Sequence, residues 1–435
     1  MPGEIESASS ATAGHNSQID YKKIAVGCAV MALAIATRII AFRHAIARPL
    51  ENDALSFLKL ASNPVTLWSA SRREPFFTIL HRWALLAADG QPWAIRVQSM
   101  VFSMVLVGII TALALRLFKN KWTAALPGLA LALTPFMAFQ ATRGMRLEIF
   151  LSLSVTITCL LCLSTNLLSW RKAAVAGAVA AAICLTRQVG ILVVLAVLSI
   201  TMIKLGAKCG MKQTAQKLAV TFSVAFVLSA PFYYNQHREY GNAFYINTYD
   251  ATFWRNQEFR DRPGFPSSEE LKIDPRAGPR VTGYEYVAGM HSFKEIIARV
   301  IKGYVLTFTF FFSHAMGPLW WLLFMAAPGA VVICARGHWE WAVLFVLVLA
   351  PFAFIMPLSV VGHSSVDARF AMHGFPLAAL FLGAGFDWLL DVVKKVRPTA
   401  GESGPKEKDA TDKQLTDDGL MGQALHSSPG SARIK

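Results

Sequence analysis

Long apolar segments alternate with short polar segments along most of this chain. Because a helix needs about 20 mostly apolar residues to cross a bilayer, the pattern predicts about ten membrane spans, with nine to eleven as the range. The predicted spans lie near residues 24–42, 98–117, 123–140, 148–166, 173–186, 188–205, 217–234, 317–335, 340–360 and 370–392. A further stretch, 296–315, is predicted to be either an eleventh span or a helix that lies in the membrane interface.

The composition agrees with this pattern. Of the 435 residues, 54% are hydrophobic and only 16% are charged, which is more apolar surface than a soluble domain can bury. We therefore expect an all-α polytopic membrane protein whose transmembrane domain covers residues 21–395. Residues 1–20 are polar and lack the pattern of a signal peptide, and residues 396–435 are rich in Lys, Asp, Gly and Ser, so both segments are predicted to be disordered tails.

The positions of Lys and Arg predict the orientation of the chain in the membrane. The loops between alternate spans are short and basic, and these loops all lie on one side when the number of spans is ten. This places both termini in the cytoplasm and two long loops, 43–97 and 235–316, on the outer side of a cytoplasmic (inner) membrane. The net charge of +15 then favours a role at the surface of membrane lipids, facing phosphate groups, over nucleic-acid binding.

The stretch RPLENDALSFLKLA, residues 48–61, places two acids, Glu51 and Asp53, near the start of the first outside loop. A helix with Leu55 and Leu58 on one side follows, so Asp53 is either the N-cap of this helix or a residue with a chemical role. A second helix is predicted in EPFFTILHRWALLAA. Its apolar residues at helical spacing are Phe76, Ile79, Leu80, Trp83 and Leu86. Both helices are expected to lie in the membrane interface with their apolar faces toward the lipid.

Charged residues recur where other predicted spans meet the outside. Each alone is more typical of a side chain that anchors a helix end. Together they indicate a shared polar cavity at the outer boundary, because a charge within the bilayer costs at least about 2.5–3.5 kcal/mol. They are Arg143, Arg146 and Glu148 at the start of the fourth span, Arg187 between the fifth and sixth spans, and His363, Asp367 and Arg369 before the tenth.

Four short motifs resemble those of the GT-C superfamily of glycosyltransferases. They are ENDALSFLKLA after the first span, SRREPFFTIL before the second loop helix, PWAIRVQSMVFSMVLVG at the second span, and DARFAMHGFPLAALFLGAG at the last. The matching residues are Asp53, Phe57 and Ala61 in the first motif, Arg73 and Pro75 in the second, Arg96 in the third, and Arg369 and Pro376 in the fourth. The resemblance covers residues 20–395, with the motifs in the same order along the chain. Within the superfamily, the chain is similar in particular to bacterial relatives of dolichyl-phosphate-mannose protein mannosyltransferases, which include lipid A aminoarabinose transferases.

The resemblance implies a GT-C-like fold and an inverting transfer of a sugar from a polyprenyl-phosphate donor to a lipid, glycan or protein acceptor at the outer face of the membrane. It implies Asp53 as the general base, with Glu148 as the second candidate. The arginines implied for the donor phosphate are Arg73, Arg146, Arg187 and Arg369, with Arg72, Arg143 and His363 as weaker candidates. The motifs require no cofactor, but they are compatible with a divalent cation that joins Asp53 or Glu51 to the phosphate.

Two other functions remain open at this point. A transporter or flippase of a lipid-linked anion also needs cations outside, and it predicts charges deep in several spans, broken helices and paired halves. A non-catalytic scaffold predicts no clustering of acids and arginines on one face. The second outside loop is rich in aromatic residues, which suits either a sugar-binding surface or an ordinary covering loop.

Overall fold

The structure is a computed structural model that describes residues 21–50, 52–164, 167–311, 317–361 and 370–396. Over these residues the chain forms helices and no strand. The α-helices are α1 (Tyr21–Ala45), α2 (Asn52–Ala61), α3 (Pro75–Ala87), α4 (Trp93–Leu117), α5 (Lys121–Leu133), α6 (Pro135–Ala141), α7 (Leu147–Cys162), α8 (Trp170–Thr186), α9 (Gly190–Cys209), α10 (Met211–Tyr240), α11 (Tyr245–Phe259), α12 (Ser268–Ile273), α13 (Phe293–Phe310), α14 (Ala326–Ala335), α15 (Glu340–Val361) and α16 (Phe375–Val396). A π-helical turn, Glu285–Gly289, precedes α13, and a 3₁₀ helix, Gly317–Met325, precedes α14.

Some of the expectations lie outside the described residues. These are the tail 1–20, nearly all of the tail 396–435, Glu51, and the three charged residues His363, Asp367 and Arg369.

Six helices are long and apolar enough to cross a membrane, namely α1, α4, α9, α10, α15 and α16. Helices α5 and α6 together make a seventh candidate span, which is bent by 58° at a short break. Helix α7 is apolar but shorter, and so is the 3₁₀ helix together with α14. The expected all-α, multi-pass membrane fold is confirmed, while the number of ten spans stays a prediction.

The bend between α5 and α6 occurs at Thr134 and Pro135, where proline cannot continue the helix. Arg38 of α1, which is fully buried, donates hydrogen bonds to the carbonyl oxygens of Leu131 (2.9 Å) and Ala132 (2.7 Å). These carbonyls lie at the end of α5 and have no hydrogen-bond partner within their own helix. The guanidinium supplies the donors, and this avoids the free-energy cost of leaving two carbonyl oxygens without hydrogen bonds in apolar surroundings. The charge inside the first span therefore completes a broken helix.

Helices α2 and α3 of the segment 43–97 pack against each other, and α3 also packs against α4 and α8. In α2 the buried residues are Ala54, Phe57 and Ala61, whereas Leu55 is 40% exposed. Helix α3 buries Phe77, His81 and Leu85, and leaves Trp83 and Leu86 exposed. Leu55, Trp83 and Leu86, which were expected to face the lipid, are thus exposed, and each helix packs against the protein with a different face. The outward apolar residues of α3 are on the side available to lipid, as an interfacial helix requires.

Helix α13, which contains most of the ambiguous stretch 296–315, is not among the candidate spans in the described part of the chain. It begins with a capping box between Ser292 and Glu295 and packs along α15. Gly303 lies at the contact between the two helices, where a Cβ atom would overlap the carbonyl oxygen of Ala353. A glycine is therefore needed for this close approach.

We predict that Gly303→Ala lowers the apparent unfolding temperature of the protein in lipid nanodiscs, because the added methyl group must push α13 away from α15. The control is Gly27→Ala in α1, where the new Cβ atom would lie 3.5 Å from the Leu115 side chain, an ordinary contact. The control should be neutral or stabilising, since alanine favours a helix over glycine by about 1 kcal/mol. Equal unfolding temperatures for the two variants would contradict the packing described for α13.

Candidate active site

Asp53 lies in the first turn of α2 and forms an ion pair with Arg73, which precedes α3, at an N–O distance of 2.7 Å. The helix begins at Asn52, so Asp53 is inside it rather than at its N-cap. The side chain of Asp53 is 33% exposed, whereas that of Arg73 is 13% exposed. The carboxylate is thus oriented by a guanidinium and remains accessible from outside the protein.

The next residue along the chain, Glu74, is buried and pairs with Arg146 at the N-terminus of α7. Its other carboxylate oxygen accepts a hydrogen bond from the backbone N–H of Gln188 at 3.4 Å. The side-chain oxygen of Gln188 in turn accepts from the backbone N–H of Asn247 at 2.9 Å. One buried carboxylate therefore connects the loop before α3, the start of α7 and the turn between α8 and α9, and the amide of Gln188 extends the connection to α11.

The charges around Arg146 show which side chains come together. Burial, and then repulsion from Arg187 and Arg73, lowers the pKa of Arg146 to about 9, while Asp250 and Asp53 raise it. Arg146 remains protonated at neutral pH, so the site contains three guanidinium groups near one another. Asp53 and Glu74 offset part of this positive charge, and the forked donors of the three guanidinium groups suit a phosphate group.

Arg187 follows the last residue of α8 and reaches His373, just before α16. The distance between Arg187 Nη1 and His373 Nε2 is 2.6 Å. The guanidinium also lies 4.3 Å from the ring centroid of Phe352, and the imidazole stacks on the same ring at 3.9 Å. These contacts hold the guanidinium in one plane, which suits an arginine that binds an anion through two parallel hydrogen bonds.

The structure thus brings together Asp53, Arg73, Arg146 and Arg187. Glu148 differs from these residues: it is fully buried in α7, and neither carboxylate oxygen has a hydrogen-bond partner among the described residues. The charge that attracts it is Arg38 in the first span.

The remaining candidates are Arg143 and a site for a divalent cation. Arg143 follows α6, with its guanidinium 5.5 Å from the ring of Phe139. No group of three or more His, Cys, Asp or Glu side chains suited to a metal ion occurs in the described ranges, and Glu51 falls outside them.

Sequence reasoning missed Glu74, Asp250, Gln188 and His373 as parts of the site. Glu74 carries a signal in hindsight, because an acid between Arg73 and Pro75 in an outside loop is unusual for a packing residue. Asp250 and His373 carry none, since the groups that they contact are remote in sequence, and Asp250 also lies among other polar residues.

His81 contacts the segment that leads to Arg146. It is fully buried in α3, its Nδ1 lies 2.5 Å from Gln98 Oε1 of α4, and its Nε2 lies 3.4 Å from the carbonyl oxygen of Gly144. Gly144 has a φ angle of +71°, a left-handed conformation that favours glycine, and it lies two residues before Arg146. Burial lowers the pKa of His81 to about 4, so the imidazole is neutral at physiological pH.

We predict that this histidine makes the fold sensitive to acid. Below the ordinary pKa of 6.5 the unfolded chain binds a proton at His81, whereas the folded chain binds it only near pH 4. Stability contributed by the neutral imidazole is therefore lost as the pH falls through this window, by about 1.4 kcal/mol per pH unit. The apparent unfolding temperature of His81→Asn should fall less steeply with pH than that of the unchanged protein.

The matched control is His237→Asn, which makes the same substitution at an exposed histidine of α10. The apparent unfolding temperature of this control should change with pH as steeply as that of the unchanged protein. A slope for His81→Asn as steep as that of the control would contradict the buried neutral imidazole.

Comparisons with known proteins give similarity in fold alone. Comparison with protein-family models gives no match, and comparison with curated proteins also gives none. Among solved structures, the chain is similar to the oligosaccharyltransferase AglB from Archaeoglobus fulgidus in complex with an inhibitory peptide and a dolichol-phosphate, with a TM-score of 0.54 and 14% sequence identity. The similarity covers 87% of this chain and 51% of that chain, so the chain spans about half the length of the archaeal protein.

A second structure of the Archaeoglobus fulgidus oligosaccharyltransferase, tethered to an acceptor peptide, gives a TM-score of 0.51 at 12% identity, over 87% of this chain and 51% of that one. ArnT from Cupriavidus metallidurans, bound to undecaprenyl phosphate, gives a TM-score of 0.39 at 16% identity, over 85% of this chain and 77% of that one. The fold is therefore similar to that of the archaeal oligosaccharyltransferase.

Proposed function

We propose that this protein is a membrane glycosyltransferase that takes a sugar from a polyprenyl-phosphate donor. One observation carries the proposal: an accessible carboxylate, Asp53, is paired with Arg73 beside Arg146 and Arg187 in a fold similar to that of an oligosaccharyltransferase. A base next to a group of arginines is what transfer from a sugar phosphate needs, because a proton must be removed at one atom while negative charge develops at another.

Asp53 is the proposed general base of an inverting transfer. The oxygen or nitrogen of the acceptor forms a bond to the anomeric carbon, and the bond between that carbon and the phosphate oxygen breaks on the opposite side. The electron pair leaves with the polyprenyl phosphate, and the acceptor proton passes to Asp53. Asp53 is better suited than Glu148, since its side chain is 33% exposed whereas Glu148 is fully buried.

Arg146 and Arg187 are the proposed ligands of the leaving phosphate. Arg73 is engaged with Asp53 at 2.7 Å, so its first task is to orient the base. Arg187 is held against Phe352 and His373, and Arg146 against Glu74. Both guanidinium groups are thus fixed before the donor arrives, which lowers the cost of stabilising charge as it develops.

The neighbouring structures support the proposed partners. The archaeal oligosaccharyltransferase is in complex with a dolichol-phosphate and a peptide, which supports a lipid-linked donor and a separate acceptor for this chain. The reaction is proposed to occur at the outer face of the cytoplasmic membrane, with both termini in the cytoplasm, as the distribution of Lys and Arg predicts.

A transporter or flippase of a lipid-linked anion has two observations in its favour, a broken helix at α5–α6 and the buried charges Arg38 and Glu148. In this chain the guanidinium of Arg38 binds the carbonyl oxygens that the break exposes. The carbonyl oxygens at the break therefore have hydrogen-bond donors from the protein itself. The break and the buried Arg38 are thus explained without a transported ion. Movement of a labelled lipid phosphate from one leaflet of a proteoliposome membrane to the other, without sugar transfer, would favour the transporter instead.

We predict that Asp53→Asn lowers transfer of sugar from a labelled polyprenyl-phosphate sugar by about 10²–10⁴-fold, because the amide cannot take the proton. The matched control is Asp89→Asn, which changes an exposed acid of the same outside loop. Its φ angle of +48° is one that asparagine also tolerates, so this variant should fold and keep full activity. Undiminished turnover in folded Asp53→Asn protein would refute the assignment of the base.

We predict that Arg187→Ala weakens binding of undecaprenyl phosphate by about tenfold or more, since a hydrogen-bonded charge pair with phosphate contributes about 1.5–3 kcal/mol. Arg238→Ala, at an exposed position of α10, serves as the control and should bind the lipid normally. Equal affinity of the two variants for undecaprenyl phosphate would refute this assignment, and Arg187 would then only anchor the end of α8.

A further inference from the structure

The second outside loop contains a separate, open cavity of about 170 Å³. It is lined by Arg72, Tyr245, Tyr249, Thr252, Asp274, Arg276 and Arg280. Three guanidinium groups face one carboxylate, so the cavity carries an excess of positive charge. The carboxylate of Asp274 accepts a hydrogen bond from the backbone N–H of Arg276 at 2.9 Å, and within the described residues none of the three arginines forms an ion pair.

The two tyrosines of this cavity each contact an arginine. The guanidinium of Arg276 lies 3.7 Å from the ring centroid of Tyr249, and that of Arg280 lies 5.0 Å from the ring of Tyr245. Tyr240 stacks on Tyr245 at 4.0 Å. Contact with an aromatic face fixes the plane of a guanidinium without neutralising its charge. The aromatic-rich loop is therefore better suited to an anion than to sugar stacking.

The backbone that bears these arginines is fastened to α11. Buried Arg255 donates to the carbonyl oxygen of Pro279 at 2.6 Å. Buried Asn256 donates to the carbonyl oxygens of Pro275 (3.2 Å) and Ala277 (3.0 Å). Thr252 accepts a hydrogen bond from the backbone N–H of Val281 at 3.2 Å. The segment from 275 to 281 thus has a fixed position relative to the tyrosines of the same helix, as a preorganised binding site requires.

The cavity adjoins the proposed active site through consecutive residues. Arg72 lines the cavity, whereas Arg73 binds Asp53. The loop that bears both is anchored to α10, since Gln236 donates to the carbonyl oxygen of Ser71 at 2.7 Å. The cavity thus shares a loop with the arginine that orients the proposed base, while Arg146 and Arg187 are not among the residues that line it.

We propose that this cavity binds an anionic group, a phosphate or a carboxylate, of the acceptor, so that the enzyme glycosylates an acidic envelope molecule. The inference rests on the proposed glycosyltransferase function. Three arginines without carboxylate partners, at fixed positions beside the base, would hold the charged part of the acceptor while its nucleophile reaches Asp53.

The test uses full-length protein in nanodiscs saturated with undecaprenyl phosphate, so that the proposed donor site is occupied. Binding of glucose 6-phosphate, methyl glucuronide and neutral methyl glucoside is measured by saturation-transfer NMR. At least one of the two charged sugars should bind more tightly than methyl glucoside, and their relative affinities tell whether the acceptor group is a phosphate or a carboxylate. Equal, weak binding of all three sugars would overturn the proposal.

Variants locate the binding. Arg280→Gln changes an exposed side chain, and Arg276→Gln with Arg280→Gln removes both loop guanidinium groups. The double variant should weaken binding of the preferred charged sugar by about tenfold or more, as expected for lost charge-assisted hydrogen bonds. Arg260→Gln, an exposed arginine that does not line the cavity, should bind it normally. Unchanged binding in folded Arg280→Gln and in the double variant would refute the assignment.

The donor measurement separates this inference from the proposed function. Undecaprenyl phosphate should bind the double variant as it binds the unchanged protein. Weaker binding of the lipid by the double variant would show that the cavity belongs to the donor site and would overturn the acceptor assignment. Failure of the unchanged protein to bind the lipid would count against the proposed function instead, whatever the charged sugars do.

Discussion

The buried ion pair of Glu74 and Arg146 is the interaction on which the arrangement of the site depends. Several arginines at one membrane boundary repel one another, and burial adds to the cost of each charge. Glu74 offsets that cost for Arg146 and also accepts a hydrogen bond from the backbone N–H of Gln188. A single carboxylate thus fixes three segments that bear the proposed catalytic residues. Removing one member of such a pair costs more than the pair contributes, because the other charge stays buried without its partner.

The same logic applies to charged groups in three parts of the molecule. Within the membrane domain Arg38 is fully buried and serves the carbonyl oxygens at the end of a broken helix. At the boundary, Glu74 balances Arg146. In the segment 235–316, Arg276 and Arg280 lie on aromatic rings, and neither forms an ion pair within the described residues. The cavity of Arg72, Arg276 and Arg280 therefore carries an excess of positive charge, which suits an anionic ligand.

The fold was predictable from the sequence because long apolar segments have few possible structures in a membrane. The residues Asp53, Arg146 and Arg187 were also identifiable, since charges stand out in an apolar chain. The buried face of α2 could not be identified from the sequence. Leu55 can contact lipid as readily as protein, and the apolar periodicity of a helix does not distinguish these two surroundings. Glu74 was missed because its partner Arg146 is 72 residues away, and such pairing arises only from tertiary packing.

The central claim is that the phosphate of a lipid donor binds between Arg146 and Arg187 beside Asp53. The most direct measurement is a cryo-electron microscopy structure of the full-length protein in nanodiscs with undecaprenyl phosphate. The account predicts phosphate density within hydrogen-bond distance of both guanidinium groups, with the carboxylate of Asp53 facing the same space. Phosphate density in the cavity of Arg72, Arg276 and Arg280, or away from both groups of arginines, would contradict it.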